Sequence, residues 1–173
     1  MKSTVMGGIA ALTLAACAGM DAGYGPRATV ELQPASGTHV RGQVTFTPSG
    51  DGVRAVGEIT GHSAGRKGFH IHDKGDCSAP DAMSAGGHYN PTRVKHGAPG
   101  AGHLGDLGNL VFDDSGRARV DVLVRGVTLS GTAPNGIIGR ALIVHVQEDD
   151  LKTDPTGNAG GRAACGVIRS RDS

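Results

Sequence analysis

From Ala28 onward, apolar and polar residues alternate in short runs: Ala28, Val30 and Leu32; then Val40, Val44 and Phe46; then Val53, Ala55 and Ile59; then Ala118, Val120, Val122 and Val124. Successive side chains of an extended strand point to opposite faces, so this period of two predicts strands with one face buried. Shorter apolar runs at Ile137 to Val146 and Ala163 to Ile168 add two more, and Phe69-His70-Ile71-His72 alternates in mid-chain. Apolar stripes at helical spacing are missing. The predicted architecture is all-β, an antiparallel Greek-key sandwich or flattened barrel. Two long irregular connections, near 73–107 and 147–162, are expected to carry function.

Composition agrees with many short strands. The 173 residues suffice for one domain with a real core. Thirty glycines, no tryptophan, three phenylalanines and two tyrosines describe a turn-rich chain whose core must come from Val, Ile, Leu and Ala. No run of Lys or Arg with interleaved aromatics reads as a nucleic-acid surface, so no nucleic-acid partner is expected.

Lys2 is followed by an uncharged stretch from Ser3 to Ala16 that ends in Leu14-Ala15-Ala16-Cys17. A membrane-spanning helix needs about 20 apolar residues, more than this stretch holds. It resembles instead a bacterial lipoprotein signal peptide. That resemblance implies residues 1–16 as the signal, acylated Cys17 with a flexible tether over 17–27, and a folded domain over 28–173. It places the chain in a bacterial cell envelope, facing the periplasm and anchored to a membrane through Cys17. Ala18 does not resemble the aspartate of inner-membrane retention, which favours the outer membrane. Removing Lys2 takes 17 basic residues to 16 against 16 acidic ones, a net charge of zero. Cys77 and Cys165 remain as an even pair in an oxidising setting, where a structural disulfide is expected. A free-thiol or metal-ligand role is the alternative.

The histidines carry the chemistry. On a strand that buries Phe69 and Ile71, His70 and His72 share the outer face and form half of a metal site. A lone His-x-His is a weak signal. The long loop, however, adds His88, His96, His103 and Asp106, and His145 closes an apolar run, so that six of the eight histidines join one set. Imidazole suits copper and zinc alike, and three histidines with one carboxylate suit tetrahedral zinc. Seven ligands are one short of two four-ligand sites. An imidazole shared by two metals makes up the count, and the pattern leaves that sharing open. His39 and His62 read as surface or turn residues outside the site.

Four motifs now stand in order: Gly68-Phe69-His70-Ile71-His72, Gly87-His88-Tyr89-Asn90-Pro91, His103 to Asn109 (HLGDLGN) and Gly157 to Gly166 (GNAGGRAACG). Together they resemble the copper/zinc superoxide dismutases, over about residues 28–170. The resemblance implies an immunoglobulin-like Greek-key β-sandwich or flattened barrel. It implies copper on His70, His72, His88 and His145, and zinc on His88, His96, His103 and Asp106, with His88 as the bridge. Asp149 matches the carboxylate that orients two of the histidines, although Glu148-Asp149-Asp150 also reads as a solvated acidic run. A Cys77–Cys165 disulfide would tie the segment of Arg162 to the ligand-bearing loop. Arg162 would attract the superoxide anion, which copper redox cycling converts to oxygen and hydrogen peroxide, while zinc keeps a structural role.

The competing reading is a non-catalytic copper/zinc buffer or a chaperone-like relative. Loss of a copper histidine or of Arg162 would mark it, and all are present. Three departures from the family pattern stand out. Lys67 occupies a position where histidine is common, and a structural hydrogen bond is expected to be missing there. His62 stands where an apolar barrel plug is common. The segment between His145 and Arg162 is short. Monomer and homodimer both stay open.

Overall fold

The computed structural model describes Met1 and residues 26–171. Strands β1 (Ala28–Pro34), β2 (Arg41–Ser49), β3 (Gly52–Thr60), β4 (Gly65–His72), β5 (Asp106–Phe112), β6 (Arg117–Arg125), β7 (Ala141–His145) and β8 (Arg162–Val167) build the fold, with a two-residue β9 (Arg169–Ser170) and one 3₁₀ turn, Met83–Ala85. The segment expected to be a signal, Cys17 and most of the expected tether lie outside the described residues. Among the described residues no helix is long and apolar enough to cross a membrane.

Every strand pairing is antiparallel. The order β5-β4-β7-β8-β1-β2-β3-β6 makes one sheet whose end strands are joined by the tight turn at Asp113–Gly116. The chain crosses from β3 to β4, and from β6 to β7, without pairing those neighbours, as a Greek key requires. The sheet rolls into an all but closed barrel, as expected. Strand β1 changes partner along its length, pairing with β2 over Ala28–Leu32 and with β8 over Gln33–Pro34.

Alternation explains the core. Val30, Leu32, Val44, Phe46, Ile59, Val120 and Val124 face inward and are buried, and Phe69, Ile71, Leu142 and Val144 join them from β4 and β7. At about 25 cal/mol per Å² of apolar surface removed from water, this aliphatic interior is the main stabilising term. The other faces of β4 and β7 are buried as well, because the long connection Asp73–Gly105 folds over them. Ala141 and Ile143 there, with Cys165 of β8, meet Ala35, Ala82 and Ala85 in a second small cluster. The histidines emerge on this covered outer face.

Two connections differ from the expected pattern. Strand β5 begins at Asp106, inside the segment expected to be a loop. Its register against β4 slips between Gly68 and His70, so Leu107 and Leu110 are both buried although an unbroken alternation would separate them. The apolar run Ile137–Val146 is strand only from Ala141. Ile137 is buried from a loop, with its amide donating to Thr128 O.

Candidate metal centre

His70 and His72 leave β4 on the side opposite Phe69 and Ile71, as their alternation requires, and both are buried. His145 ends the neighbouring β7. The ligand loop is drawn to β4 by backbone bonds: Tyr89 N donates to Ile71 O and Asp73 N to Gly87 O, each at 2.9 Å, which fixes His88 beside His72. Tyr89 is itself locked, its hydroxyl donating to Pro134 O at 2.6 Å and the Arg140 guanidinium lying 3.6 Å over its ring. His96 and His103 come from the same loop, and Asp106 starts β5.

Two groups of four result. The donor atoms of His70, His72, His88 and His145 lie within 4.8 Å of one another, and so do those of His88, His96, His103 and Asp106. All seven residues are buried, and His88 belongs to both groups. Metal–nitrogen bonds of about 2 Å are compatible with such clustering.

The ring nitrogens can be assigned from their partners. His72 Nδ1 donates to Gly86 O at 2.9 Å and His145 Nδ1 to Gly160 O at 3.2 Å, so both Nε2 atoms carry lone pairs, yet they face each other 3.3 Å apart. His70 Nε2 donates to one oxygen of Asp149 at 2.7 Å and His96 Nε2 to the other at 2.9 Å. Among the described residues, four buried nitrogens then have no hydrogen-bond partner: His70 Nδ1, His88 Nε2, His96 Nδ1 and His103 Nδ1. The last two lie 3.0 and 3.2 Å from Asp106 oxygens without donating to them. Orphaned buried acceptors are costly, and here their lone pairs converge. Cations accepting these lone pairs resolve the cost, so both donor sets fit copper and zinc.

Burial and neighbouring imidazoles disfavour the protonated form of three of these rings. Desolvation holds His70 and His72 well below the usual histidine range and His145 down to about 4, which suits metal ligands. Burial pushes Asp106 upward, but hydrogen bonds from His88 and from the Gly97 and His103 amides outweigh it and keep the carboxylate ionised.

Asp149 is buried while Glu148 is exposed, so the acidic run is not a uniformly solvated face. Its backbone is clamped by Asn109, whose side chain donates to Asp149 O at 2.9 Å and accepts from Asp149 N at 2.8 Å. Sequence reading passed over Asn109, although it sits in the HLGDLGN motif. Gly157, at φ +62°, lies so close that a β-carbon there would collide with Asp149 Oδ1 and come within 2.6 Å of His96 Nε2.

Cys77 and Cys165 form the expected disulfide, with Cα atoms 5.8 Å apart. Arg162, only 8% exposed, donates to Ala82 O at 2.6 Å and Gly86 O at 2.5 Å. Burial lowers its pKa, with Asp81 opposing, and a guanidinium stays charged. His39 is exposed and belongs to neither group. His62 is a correction: it is half-buried, its ring centroid 5.0 Å from Phe112, and its Nε2 lies 3.1 Å from His145 O. Lys67 is not idle either, since its Nζ donates to Val146 O at 3.2 Å.

Fold and site together define an antiparallel Greek-key barrel protein with two adjoining groups of side chains suited to metals. A family model of the copper/zinc superoxide dismutases matches residues 40–168. An extracellular Cu-Zn superoxide dismutase of Drosophila melanogaster is 47% identical over 141 residues, which is 76% of each chain. One of Caenorhabditis elegans is 42% identical over 139 residues, 76% of this chain but 62% of that protein. The chain therefore spans under two thirds of the nematode relative. The crystal structure of the clock protein EA4 superposes with a TM-score of 0.73 at 46% identity, covering 83% of this chain and 93% of that one. The chain belongs to the copper/zinc superoxide dismutase family, a family of enzymes whose metals are copper and zinc.

Proposed function

We propose that the chain disproportionates superoxide, two anions and two protons giving one dioxygen and one hydrogen peroxide. Copper is assigned to His70, His72, His88 and His145, and zinc to His88, His96, His103 and Asp106, with the His88 imidazole shared. When bound, copper supplies a one-electron acceptor and donor for successive superoxide anions, and zinc, without a second accessible oxidation state, holds charge and shape. The observation that carries this reading is the set of buried ring nitrogens without partners, aimed at two adjoining points.

The protein's own groups do the rest. The Arg162 guanidinium draws in and orients the anion with its planar donor fork. His88 would hold and deliver a proton at Nε2 only while that lone pair is not given to copper, with Nδ1 kept against Asp106. Asp149 accepts from His70 and His96 and so fixes two rings, one from each group. The disulfide and the Gly86 carbonyl hold the ligand loop and the arginine in register.

Purified protein is expected to hold copper and zinc and to consume superoxide, and chelation should abolish that activity until both metals return. Protein that binds neither metal, or binds both without turnover, rules the reading out.

The export reading rests on the Leu14-Ala15-Ala16-Cys17 pattern and is supported by two relatives named as extracellular. In its finer form the mature chain is a lipoprotein of a bacterial envelope, acylated at Cys17, facing the periplasm from the outer membrane. Mass spectrometry of the mature N-terminus tests it: an unmodified Cys17, or cleavage elsewhere, removes the anchor.

A further inference from the structure

The strands behind the site contain one defect. Phe69 to His72 pair with Val144 back to Ala141 in regular antiparallel register. One step further, that register would bring the Gly68 amide to His145. Instead Gly68 N donates to Gln147 O at 2.8 Å, and the pairing of β7 with β8 slips between Val144 and His145. A bulge of this kind re-aims a side chain and hands backbone groups to other partners.

Here the partners are side chains. His62 Nε2 meets His145 O at 3.1 Å, and Lys67 Nζ donates to Val146 O at 3.2 Å. A carbonyl only accepts, so His62 Nε2 carries the ring proton. Nδ1, 3.2 Å from Ser63 Oγ, is then the acceptor. The ring is braced against the buried Phe112. Space on the β4 side is tight: a β-carbon on Gly68 would come within 2.8 Å of the Ala159 Cβ and 3.4 Å of the His145 Cβ. The His145 ring has one bond of its own, 3.2 Å to Gly160 O. Its direction therefore depends on where the bulged peptide is held.

We infer that His62 is a positioning residue for His145, its Nε2–H fixing the bulged peptide and thereby the direction in which His145 Nε2 is presented to the copper group. The inference rests on the assignment of His145 to copper made above. It turns the two departures at positions 62 and 67 into one arrangement: the donor expected just before Gly68 is supplied from the turn that leads into β4, with Lys67 serving the next carbonyl.

Two substitutions separate the donor from the plug. His62→Phe keeps a flat ring against Phe112 and removes the donor, and His62→Gln keeps an N–H of similar reach. Each metal-free protein is melted, then loaded with Cu(II) and Zn(II) and read by electron paramagnetic resonance, visible absorption and copper release to a chelator. Metal-free His62→Phe should melt within about 4 °C of the parent, a change of about 1 to 2 kcal/mol in a domain this size. Its Cu(II) spectrum should shift and its copper release quicken about fivefold, below the usual 10- to 100-fold loss for partners that touch a ligand ring. His62→Gln should restore both. An unmoved spectrum and release rate in His62→Phe overturn the inference, as does failure of His62→Gln to restore them. Should His62→Phe not fold, His62→Leu replaces it in the same comparison with His62→Gln. A parent protein that takes up no copper would instead sink the copper assignment, before any variant is made.

Discussion

His72 and Arg162 meet at one oxygen: the Gly86 carbonyl accepts from His72 Nδ1 at 2.9 Å and from Arg162 Nη2 at 2.5 Å. A ring of the copper group and the cation proposed to receive the anion are therefore positioned by the same peptide. Arg162 Nη1 reaches Ala82 O as well, so the guanidinium spans the two ends of the 3₁₀ turn Met83–Ala85. A lysine has a single ammonium and cannot reproduce both bonds in one plane. Arg162→Lys is expected to keep its copper but lose about tenfold in kcat/KM, and Arg162→Glu to lose more and to weaken the salt dependence of the rate. The measurement is kcat/KM against ionic strength on variants of verified metal content. An unchanged rate in Arg162→Glu would remove the arginine from the mechanism.

Reduction of the disulfide should act on the same loop. Cys77 and Cys165 are separated by 88 positions and join the ligand loop to the strand that begins with Arg162. Closing such a loop contributes about 4 to 5 kcal/mol in the chain-entropy account. The double variant Cys77→Ser, Cys165→Ser is expected to melt well below the parent and to lose activity at temperatures where it is still folded, because Ala82 and Gly86 no longer hold Arg162 in place. Full activity in a folded double variant would show that the disulfide serves stability alone.

Much of this arrangement was legible in the chain, for a physical reason. Period-two alternation reports directly which face of a strand is buried, and histidine and carboxylate are the residue types that suit these metals, so spacing and residue type together exposed the strands and the seven residues that gather in two groups. Where a bulge broke the alternation the signal failed. Strand β5 was hidden because its register slips opposite Gly68 and His70, and His62 was set aside because its partner is a backbone carbonyl. Any residue can offer a carbonyl, so no sequence pattern marks one. Asn109 was passed over on the same ground, since it clamps the main chain of Asp149.

Asp149 gives a sharper test of how the two groups are coupled. Each of its oxygens accepts from a different histidine. An asparagine would turn one acceptor into a donor facing an N–H. Asp149→Asn should therefore weaken zinc binding by about 10- to 100-fold and release one of the two rings from its fixed tautomer. Zinc affinity measured by chelator competition, with copper bound, is the readout. Parental affinity in Asp149→Asn would mean that packing alone orients His96.

Acid should unfold the metal-free protein through the same rings. Desolvation holds His145 down to about 4 from an ordinary 6.5, and burial also lowers His70 and His72 well below the usual range. The folded state thus refuses protons that the unfolded chain accepts near 6.5. Below that pH the unfolded state binds more protons, so stability falls as pH drops from about 6.5 toward 4, and this slope of His145 ends once the folded ring titrates too. Melting temperatures of the metal-free protein at about pH 7, 6, 5 and 4.5 should decline steadily across that window. Histidines held neutral by burial predict the decline before the carboxylates titrate. A flat profile down to about pH 5 would show that the rings take up protons in the folded state, which is incompatible with the lone-pair arrangement found at His72 and His145.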